Sequence, residues 1–294
     1  MNKNYYYDLN GNLVCENVQA GKVLTFFYQN KFGKFLKNLV NKKVIAKIFG
    51  AYQNTVFSKF KISSFVKKYK IDMSQFDLAE IEYNSFNDFF TRELKKGTRV
   101  IDTNLENFIS PADSKLFVIP DICQKIEFFV KNEKFDLSEF LQNKKLADDY
   151  KDGMMLIFRL APYDYHRFHF PTDCIPSKSE PINGILDSVS PIVYKSGYQP
   201  LTENERKLVI LKSQKFDDII FVSVGAMLVG KIVEVYLPDK KYSKGEQMGW
   251  FEFGGSTIVL LFKKGAIKLK TDFLKHSAEG FETEVKMGQV INEI

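Results

Sequence analysis

A serine that follows two glycines is the residue of this sequence best suited to unusual chemistry. Gly254 and Gly255 precede Ser256 in the segment WFEFGGSTIVLLF, between two strand-like runs. Taken locally, this pattern predicts a hairpin turn. A glycine carbonyl is unhindered, however, and strain in a tight turn weakens the planarity of the amide bond. If a base deprotonates Ser256, its hydroxyl can attack the Gly255 carbonyl and cleave the chain.

Two of the three histidines lie close together and could also carry chemistry. His166 and His169 lie in the segment APYDYHRFHFP, whose prolines disfavour a helix. In a strand, residues three apart point to opposite faces. Two interpretations stay open from the residues alone: partly buried, hydrogen-bonded imidazoles, or a zinc site completed by Cys174 or Asp164.

Asp113 is a further residue of interest, in the segment SPADSKL just before a predicted strand. An aspartate at such a position is usually a turn residue, so the local signal is weak. The three cysteines, Cys15, Cys123 and Cys174, form no C-x-x-C pair. That pattern argues against a disulfide framework or a zinc ribbon, and it favours a reducing compartment.

Short β-rich runs between turn signals dominate the chain from about residue 101. They predict strands at Lys115–Ile119, Ile126–Val130, Met154–Leu160, Ile182–Val189, Lys207–Leu211, Ile219–Val224, Lys231–Tyr236, Ile258–Phe262 and Glu284–Val290, with one helix near Leu137–Leu141. Many short strands with few helices indicate an antiparallel sandwich or a barrel-like domain. We therefore predict an α+β fold with an N-terminal helical region, 1–100, and a β-rich catalytic domain, 101–294.

The first 70 residues predict amphipathic helices. Apolar residues recur at helical spacing over Val23–Val40 and again from Ile45 to Phe60, with lysines such as Lys31, Lys34 and Lys37 beside or opposite the first stripe. Further helices are predicted from Ser74 to about Glu82 and, after a capping box at Ser85, over Phe86–Leu94. Two interpretations of the first stripes remain: helices packed on the protein's own core, or helices lying in a membrane interface.

Charge and hydropathy narrow the classes of partner. The 294 residues carry a net charge of +6, yet residues 1–70 hold 13 lysines, no arginine and two acids. Such segregation favours a polyanionic surface. Nucleic-acid binders use arginine forks more often, so an anionic membrane is the better prediction. No run approaches the roughly 20 apolar residues that span a bilayer, and no secretory signal opens the chain.

Taken together, the motifs resemble those of the phosphatidylserine decarboxylases. The segments FNDFFTREL, SPADSKL, DYHRFHFP, VGAMLVGKI and KGEQMGWFEFGGSTIVLLF agree with that family in order and spacing over most of residues 20–290. The most specific block is KGEQMGWFEFGGST, which ends in the tetrapeptide Gly254-Gly255-Ser256-Thr257 at the family's self-cleavage position. Two positions depart from the family pattern: Ser114, where glycine is usual, and Met227 in VGAMLVG.

The resemblance implies a role for each matching residue. Asp113, His169 and Ser256 match the maturation triad, in which His169 is the base, Asp113 orients it and Ser256 is the nucleophile. Cleavage between Gly255 and Ser256 would give a β chain, 1–255, and an α chain, 256–294, which we expect to stay together as two strands of one former hairpin. Residue 256 becomes a pyruvoyl group, and His166 matches the histidine that acts as acid during decarboxylation.

The same resemblance implies the activity and the surroundings. The expected enzyme is a zymogen of phospholipid biosynthesis, whose pyruvoyl group forms a Schiff base with phosphatidylserine and releases CO2 and phosphatidylethanolamine. It needs no metal and binds no nucleic acid. The implied location is peripheral, on the cytoplasmic face of the cell membrane, and a homodimer is one option for assembly.

Three alternatives are left to experiment, the last of them within the same class of enzyme. A non-catalytic lipid-binding protein would use Gly255 and Ser256 only as a turn and would stay uncleaved. A zinc hydrolase would use His166, His169 and Cys174 and would hold metal. A pyruvoyl enzyme for a soluble amino acid would not need lipid-facing helices.

Overall fold

The computed structural model describes residues 4–16, 21–40, 43–122, 135–226, 231–254 and 256–293. For residues 38–47 and for residue 80 only the backbone is considered. The predicted strand at 126–130 and the positions Cys123, Met227 and Gly255 lie outside the described residues.

Helices dominate the first third of the chain and are scattered among the strands afterwards. The described helices are α1 (Gly21–Gln29), α2 (Lys31–Val40), α3 (Lys43–Gln53), α4 (Ile62–Tyr69), α5 (Phe86–Phe90), α6 (Leu137–Leu141), α7 (Lys144–Tyr150), α8 (Pro191–Tyr194), α9 (Pro200–Glu203) and α10 (Thr271–Ala278). Short 3-10 helices span Val56–Lys61, Met73–Gln75 and Glu80–Glu82.

The strands form one large sheet and one small sheet. They are β1 (Tyr5–Tyr7), β2 (Leu13–Cys15), β3 (Ser114–Ile119), β4 (Met154–Leu160), β5 (Arg167–His169), β6 (Ile175–Pro176), β7 (Glu180–Ile182), β8 (Arg206–Lys212), β9 (Asp218–Val224), β10 (Ile232–Glu234), β11 (Gln247–Phe251), β12 (Ser256–Phe262) and β13 (Glu282–Val285). The large sheet runs β2-β1-β13-β3-β4-β12-β9-β8-β6, with β7 also on β8, and the small one runs β10-β11-β5. Only the β1–β13 pair, among the described pairs, is parallel.

Alternation along the strands divides the core into two layers. Ile258, Leu260 and Phe262 of β12 face the small sheet, where they join Phe168 of β5 and Phe251 of β11. The alternate residues of β12 face the other way, into a layer with side chains of α6, α7 and α9. A third cluster packs α4 against α5. β12 is buried along its whole length, because it pairs with β4 on one side and with β9 on the other.

The predicted α+β class is confirmed, and the architecture is the sandwich rather than the barrel. Within the described strands the large sheet is open, with β2 at one edge and β6 and β7 at the other. The predicted start of α5 is confirmed, since the Ser85 hydroxyl accepts from the amide of Asp88 at 3.1 Å, although the helix ends at Phe90 rather than Leu94.

Several local predictions are wrong, among them the strand at Ile182–Val189, of which only Ile182 lies in a described strand. The helix over Val23–Val40 is broken at Asn30, whose Oδ1 accepts from the amides of Phe32 and Gly33 and so begins a second helix. The segment from Ser74 to Glu82 forms short 3-10 turns, because Asp72 binds the amide of Ser74. The hairpin predicted at the Gly-Gly turn is also wrong, because β11 and β12 lie in different sheets.

Candidate active site

Ser256 is the first residue of β12 and has no exposed surface. It pairs with Leu160 of β4, which holds its backbone at one end of the large sheet. Gly254, two residues earlier, has φ 147°, a left-handed conformation that glycine adopts more readily than other residues. The chain therefore leaves the small sheet through a glycine and enters the centre of the large sheet at a buried hydroxyl.

His166 is the imidazole in contact with that hydroxyl. Its Nδ1 lies 3.3 Å from Oγ of Ser256, and its Nε2 lies 3.0 Å from the carbonyl oxygen of Ala161. A carbonyl can only accept, so Nε2 carries the hydrogen and Nδ1 presents its lone pair to Ser256. The ring also stacks on Phe90, with centroids 3.9 Å apart. Burial lowers the pKa of His166 to about 3, so the ring is neutral near pH 7.

His169 lines a cavity of about 240 Å³. Its Nδ1 donates to the carbonyl oxygen of Gly245 at 2.9 Å, and its Nε2 accepts from the Tyr165 hydroxyl at 3.1 Å. Burial lowers the pKa of His169 to about 4. This ring is thus also neutral, with its lone pair on Nε2. In the part of the chain that the structure describes, no hydrogen bond joins His169 to Ser256.

Asp113 lies immediately before β3, two strands from Ser256 in the order β3-β4-β12. Adjacent strands are about 4.8 Å apart, which puts the two backbones within roughly 10 Å. The Asp113 carboxylate accepts from the amide of Met287 at 2.8 Å and from Arg99 at 3.1 Å, with the Lys286 ammonium at 3.6 Å.

Asp113 and His169 are neighbours without a direct bond between their side chains. The amide of His169 donates to the carbonyl oxygen of Pro111 at 2.9 Å, which joins the two segments. The negative charge of Asp113 raises the pKa of His169, but burial outweighs it. The four predicted residues therefore gather at one end of the sheet, where Ser256 contacts His166 and Asp113 lies beside His169.

The short loop before His166 is fixed by Asp164 together with two cations, Lys115 and Arg92, that sequence reasoning did not single out. Lys115 donates to the Asp164 carboxylate at 2.9 and 3.0 Å, and Asp164 accepts from the amide of Ala161 at 2.8 Å. Burial favours a raised pKa for Asp164, yet the Lys115 ammonium leaves it below the usual range. Arg92 donates to the carbonyl oxygens of Tyr163 and Asp164 at 2.9 Å. The sequence signal that could have identified Arg92 is its position in the family motif FNDFFTREL.

Comparisons with known proteins show the family of the chain. The family model described as phosphatidylserine decarboxylase matches residues 86–293. The phosphatidylserine decarboxylase proenzyme of Chlamydia caviae is 40% identical over 291 residues, 98% of this chain and 97% of the relative. Those of Fusobacterium nucleatum and Clostridium tetani are 42% and 41% identical, over 95% of this chain and 93% and 94% of theirs.

The chain belongs to the phosphatidylserine decarboxylase family.

Members of this family named as proenzymes carry a pyruvoyl group made from a serine, and the residues here fit that group. Ser256 offers the hydroxyl after two glycines, its side chain is shielded from water, and a neutral imidazole touches it. Among the described residues, no three histidine, cysteine, aspartate or glutamate side chains come together as metal ligands.

Proposed function

We propose that this chain converts phosphatidylserine to phosphatidylethanolamine and CO2 at a pyruvoyl group that it makes from its own Ser256. The activity is that of the phosphatidylserine decarboxylase family, a family of carboxy-lyases synthesised as proenzymes. One observation supports Ser256 as the precursor of the group: a buried Oγ that directly follows two glycines lies 3.3 Å from an imidazole lone pair.

Self-cleavage needs only the chain's own atoms and one water. Ser256 Oγ loses its proton to an imidazole and attacks the Gly255 carbonyl carbon, so that an ester bond replaces the amide bond. Loss of the Cα proton of residue 256 then expels the Gly255 carboxylate and leaves dehydroalanine. Tautomerisation and hydrolysis release ammonia and leave the ketone. The site residues keep this centre buried, which limits competing hydrolysis of the ester.

We assign the Ser256 proton to His169, with Asp113 as the charge that favours the imidazolium. The assignment comes from the family motif, and the Nε2 lone pair of His169 and the nearby Asp113 support it. In this role Nε2 exchanges the Tyr165 hydroxyl for that of Ser256. The contact between His166 and Ser256 supports a second candidate, in which His166 takes that proton directly.

We assign proton transfer in the decarboxylation to His166. A pyruvoyl group supplies a carbonyl that captures the substrate amine and accepts the electrons released as CO2 leaves. Because His166 is neutral, its Nδ1 can take a proton from the substrate ammonium. The same Nδ1 then returns that proton to the carbon that has lost CO2. The stack on Phe90 and the bond to Ala161 hold the ring in place for both transfers.

The intact mass of the purified protein tests the proposed function. We expect two masses, corresponding to residues 1–255 and to a chain that begins with a pyruvoyl group at residue 256. A single full-length mass, in protein that is folded, would leave a non-catalytic lipid-binding protein as the better interpretation.

Variants at the two histidines separate their roles. We expect His169→Ala and Asp113→Ala to slow cleavage by at least about 100-fold, the usual contribution of a general base. His166→Ala should cleave but decarboxylate at least about 100-fold more slowly. Cleavage is followed by mass and turnover by CO2 release on the same sample. A His166→Ala protein that fails to cleave, beside a His169→Ala protein that cleaves normally, would reverse the assignment.

We also propose that residues 1–100 form a membrane-docking region for the catalytic domain, 101–294, and that docking is peripheral, on the cytoplasmic face of the cell membrane. None of the described helices is both long and apolar enough to cross a bilayer. A homodimer stays a prediction.

Exposed apolar side chains beside lysines support the docking. Val56, Phe57 and Phe60, in one 3-10 helix, are each more than 70% exposed, and Phe32 and Phe35 of α2 are more than 60% exposed. Lys37 was expected to face the membrane together with Lys31 and Lys34, and this expectation is wrong. Lys37 is buried and pairs with Asp187 at 3.2 Å, which anchors α2 to the rest of the protein.

Binding to vesicles tests the docking. Each lysine near an anionic surface contributes about 1 kcal/mol, screened by salt, whereas the apolar term resists salt. We expect Lys31→Gln with Lys34→Gln to flatten the salt dependence of binding to phosphatidylserine vesicles. Replacing Val56, Phe57 and Phe60 by serine should reduce the salt-resistant part, and Phe32 and Phe35 supply what remains of it.

Both sets of variants should still self-cleave, because the proposed catalytic residues lie beyond residue 101. A matched control replaces Leu105 and Leu237, which are also exposed but lie outside residues 1–100, by serine and should bind as the parent does. Equal binding by the Val56, Phe57 and Phe60 variant and the control would contradict the docking surface.

A further inference from the structure

The segment that joins β11 to β12 is clamped by α5 just before the two glycines. The amide of Phe253 donates to Oδ1 of Asn87 at 2.8 Å. The Phe253 ring makes edge-on contacts with Phe86 and Phe90, whose centroids lie 5.1 and 5.2 Å away. One short helix thus holds both the backbone and the side chain of Phe253. This residue lies two positions before Gly255, the last residue of the proposed β chain.

Asn87 is itself held in a single orientation. Its Nδ2 donates to Oδ1 of Asn54 at 2.9 Å, and the residue is buried. The bond to Phe253 requires an acceptor, so the oxygen of the Asn87 amide must face the Phe253 amide. The neighbouring Phe86 amide donates to the Ser58 hydroxyl at 2.8 Å, which fixes the first turn of α5 against the 3-10 helix Val56–Lys61.

The same helix fixes the site from a second direction. Phe90 stacks on His166, and His166 contacts Ser256. Asn87 and Phe90 are three residues apart in α5, so their side chains share one face of the helix. One face of α5 thus contacts Phe253, before the proposed scissile bond, and the imidazole of His166. That imidazole in turn contacts Ser256, the residue after the bond.

Attack within a tight turn depends on such restraint. Gly254 and Gly255 carry no side chains, and glycine loses more conformational freedom on ordering than any other residue. A misplacement of about 1 Å between reacting groups can cost a factor of about 100 in rate. The backbone on the far side of the scissile bond is already fixed by the pairing of Ser256 with Leu160. A second fixed point is needed on the near side.

We propose that Asn87 is a positioning residue for self-cleavage: it fixes the backbone at Phe253, so that the two glycines present the Gly255 carbonyl to Ser256 Oγ. This inference rests on the proposed function. Asn87 acts through the backbone and touches no reacting atom. Once the chain is cut, the restraint has no further part in the chemistry.

Time courses of cleavage after cell-free synthesis test the proposal, with intact mass as the readout. We expect Asn87→Ala to cleave about 10- to 100-fold more slowly than the parent chain. Asn87→Asp should recover most of that rate, because a carboxylate oxygen still accepts from the Phe253 amide. After cleavage is complete, kcat and KM of Asn87→Ala should equal those of the parent, whereas a general structural defect would lower turnover as well.

Asn292→Ala is the matched control. Asn292 is a buried asparagine whose Oδ1 accepts from the Phe108 amide, the same kind of contact at a distant place. It should lower the melting temperature about as much as Asn87→Ala and leave the cleavage rate unchanged.

Added hydroxylamine shows whether formation of the ester or its later breakdown is the slow step. It splits an accumulated ester into a Gly255 hydroxamate and a chain with an amino-terminal Ser256, but it does not act on the intact amide. We expect no acceleration in Asn87→Ala, since the attack itself is slow. Acceleration, parent-like cleavage of Asn87→Ala, or no rescue in a folded Asn87→Asp would overturn the inference. A parent chain that never cleaves would instead overturn the proposed function.

Discussion

Replacing Ser256 by alanine is expected to give one uncleaved chain with no decarboxylase activity. The variant keeps the buried strand and removes only the hydroxyl 3.3 Å from Nδ1 of His166. Without it no ester forms, the Gly255–Ser256 bond stays intact, and no pyruvoyl group can arise. Intact mass should show full-length protein, and CO2 release from phosphatidylserine should fall to the background.

A second buried serine provides the control for that variant. Ser223 of β9 pairs with Ile258 of β12 and is as well shielded from water. Ser223→Ala should cleave and turn over as the parent does. Cleavage in Ser256→Ala at the same bond would show that another group is the nucleophile.

Replacing Arg159 by methionine is expected to cause the largest loss of stability. Arg159 donates to Glu16 at 2.9 and 3.0 Å and to Glu282 at 2.8 Å, and all three side chains are buried. The two carboxylates raise the pKa of Arg159 despite its burial. Breaking one buried pair costs about 3–5 kcal/mol, because a charge is left without compensation. Here two carboxylates lose their partner, so we expect at least that loss in the free energy of unfolding.

Chemical denaturation measures the loss, in the Ser256→Ala background so that a single chain unfolds. Lys144→Met is the control: Lys144 pairs with Asp148 at 3.3 Å on the surface of α7, and such pairs contribute about 0–1 kcal/mol. A loss in Arg159→Met no larger than that of the control would mean that the network does not stabilise the fold.

Local signals predicted much of the site. The Gly-Gly-Ser turn, the paired histidines and the family motifs named four residues that the fold gathers at one end of the sheet. The α5 cap at Ser85 followed from capping chemistry alone. These features are encoded within a few residues of sequence, so they are visible without the fold.

Features that depend on distant pairing were missed. Strands β1 and β2 were not predicted, because their place is set by β13, more than 260 residues away. The pairing of Lys37 with Asp187 and that of Lys115 with Asp164 each join separate segments, and a lysine on a helix stripe looks solvated until its partner is known. A hairpin was predicted at Gly254 and Gly255 because strands that follow each other in sequence usually pair. Here the chain passes from the small sheet to the large sheet instead.

The position of β12 between β4 and β9 has a consequence for the mature protein as an assembly. Its hydrogen bonds to both neighbours run from Thr257 to Leu261, so the new amino terminus starts a strand in the interior of the sheet. The two polypeptides therefore have fixed one-to-one stoichiometry and cannot exchange between molecules without unfolding. Refolding is also altered, because two separate chains must now meet where one connected chain had folded. We therefore expect the separated chains to refold more slowly than the uncleaved proenzyme.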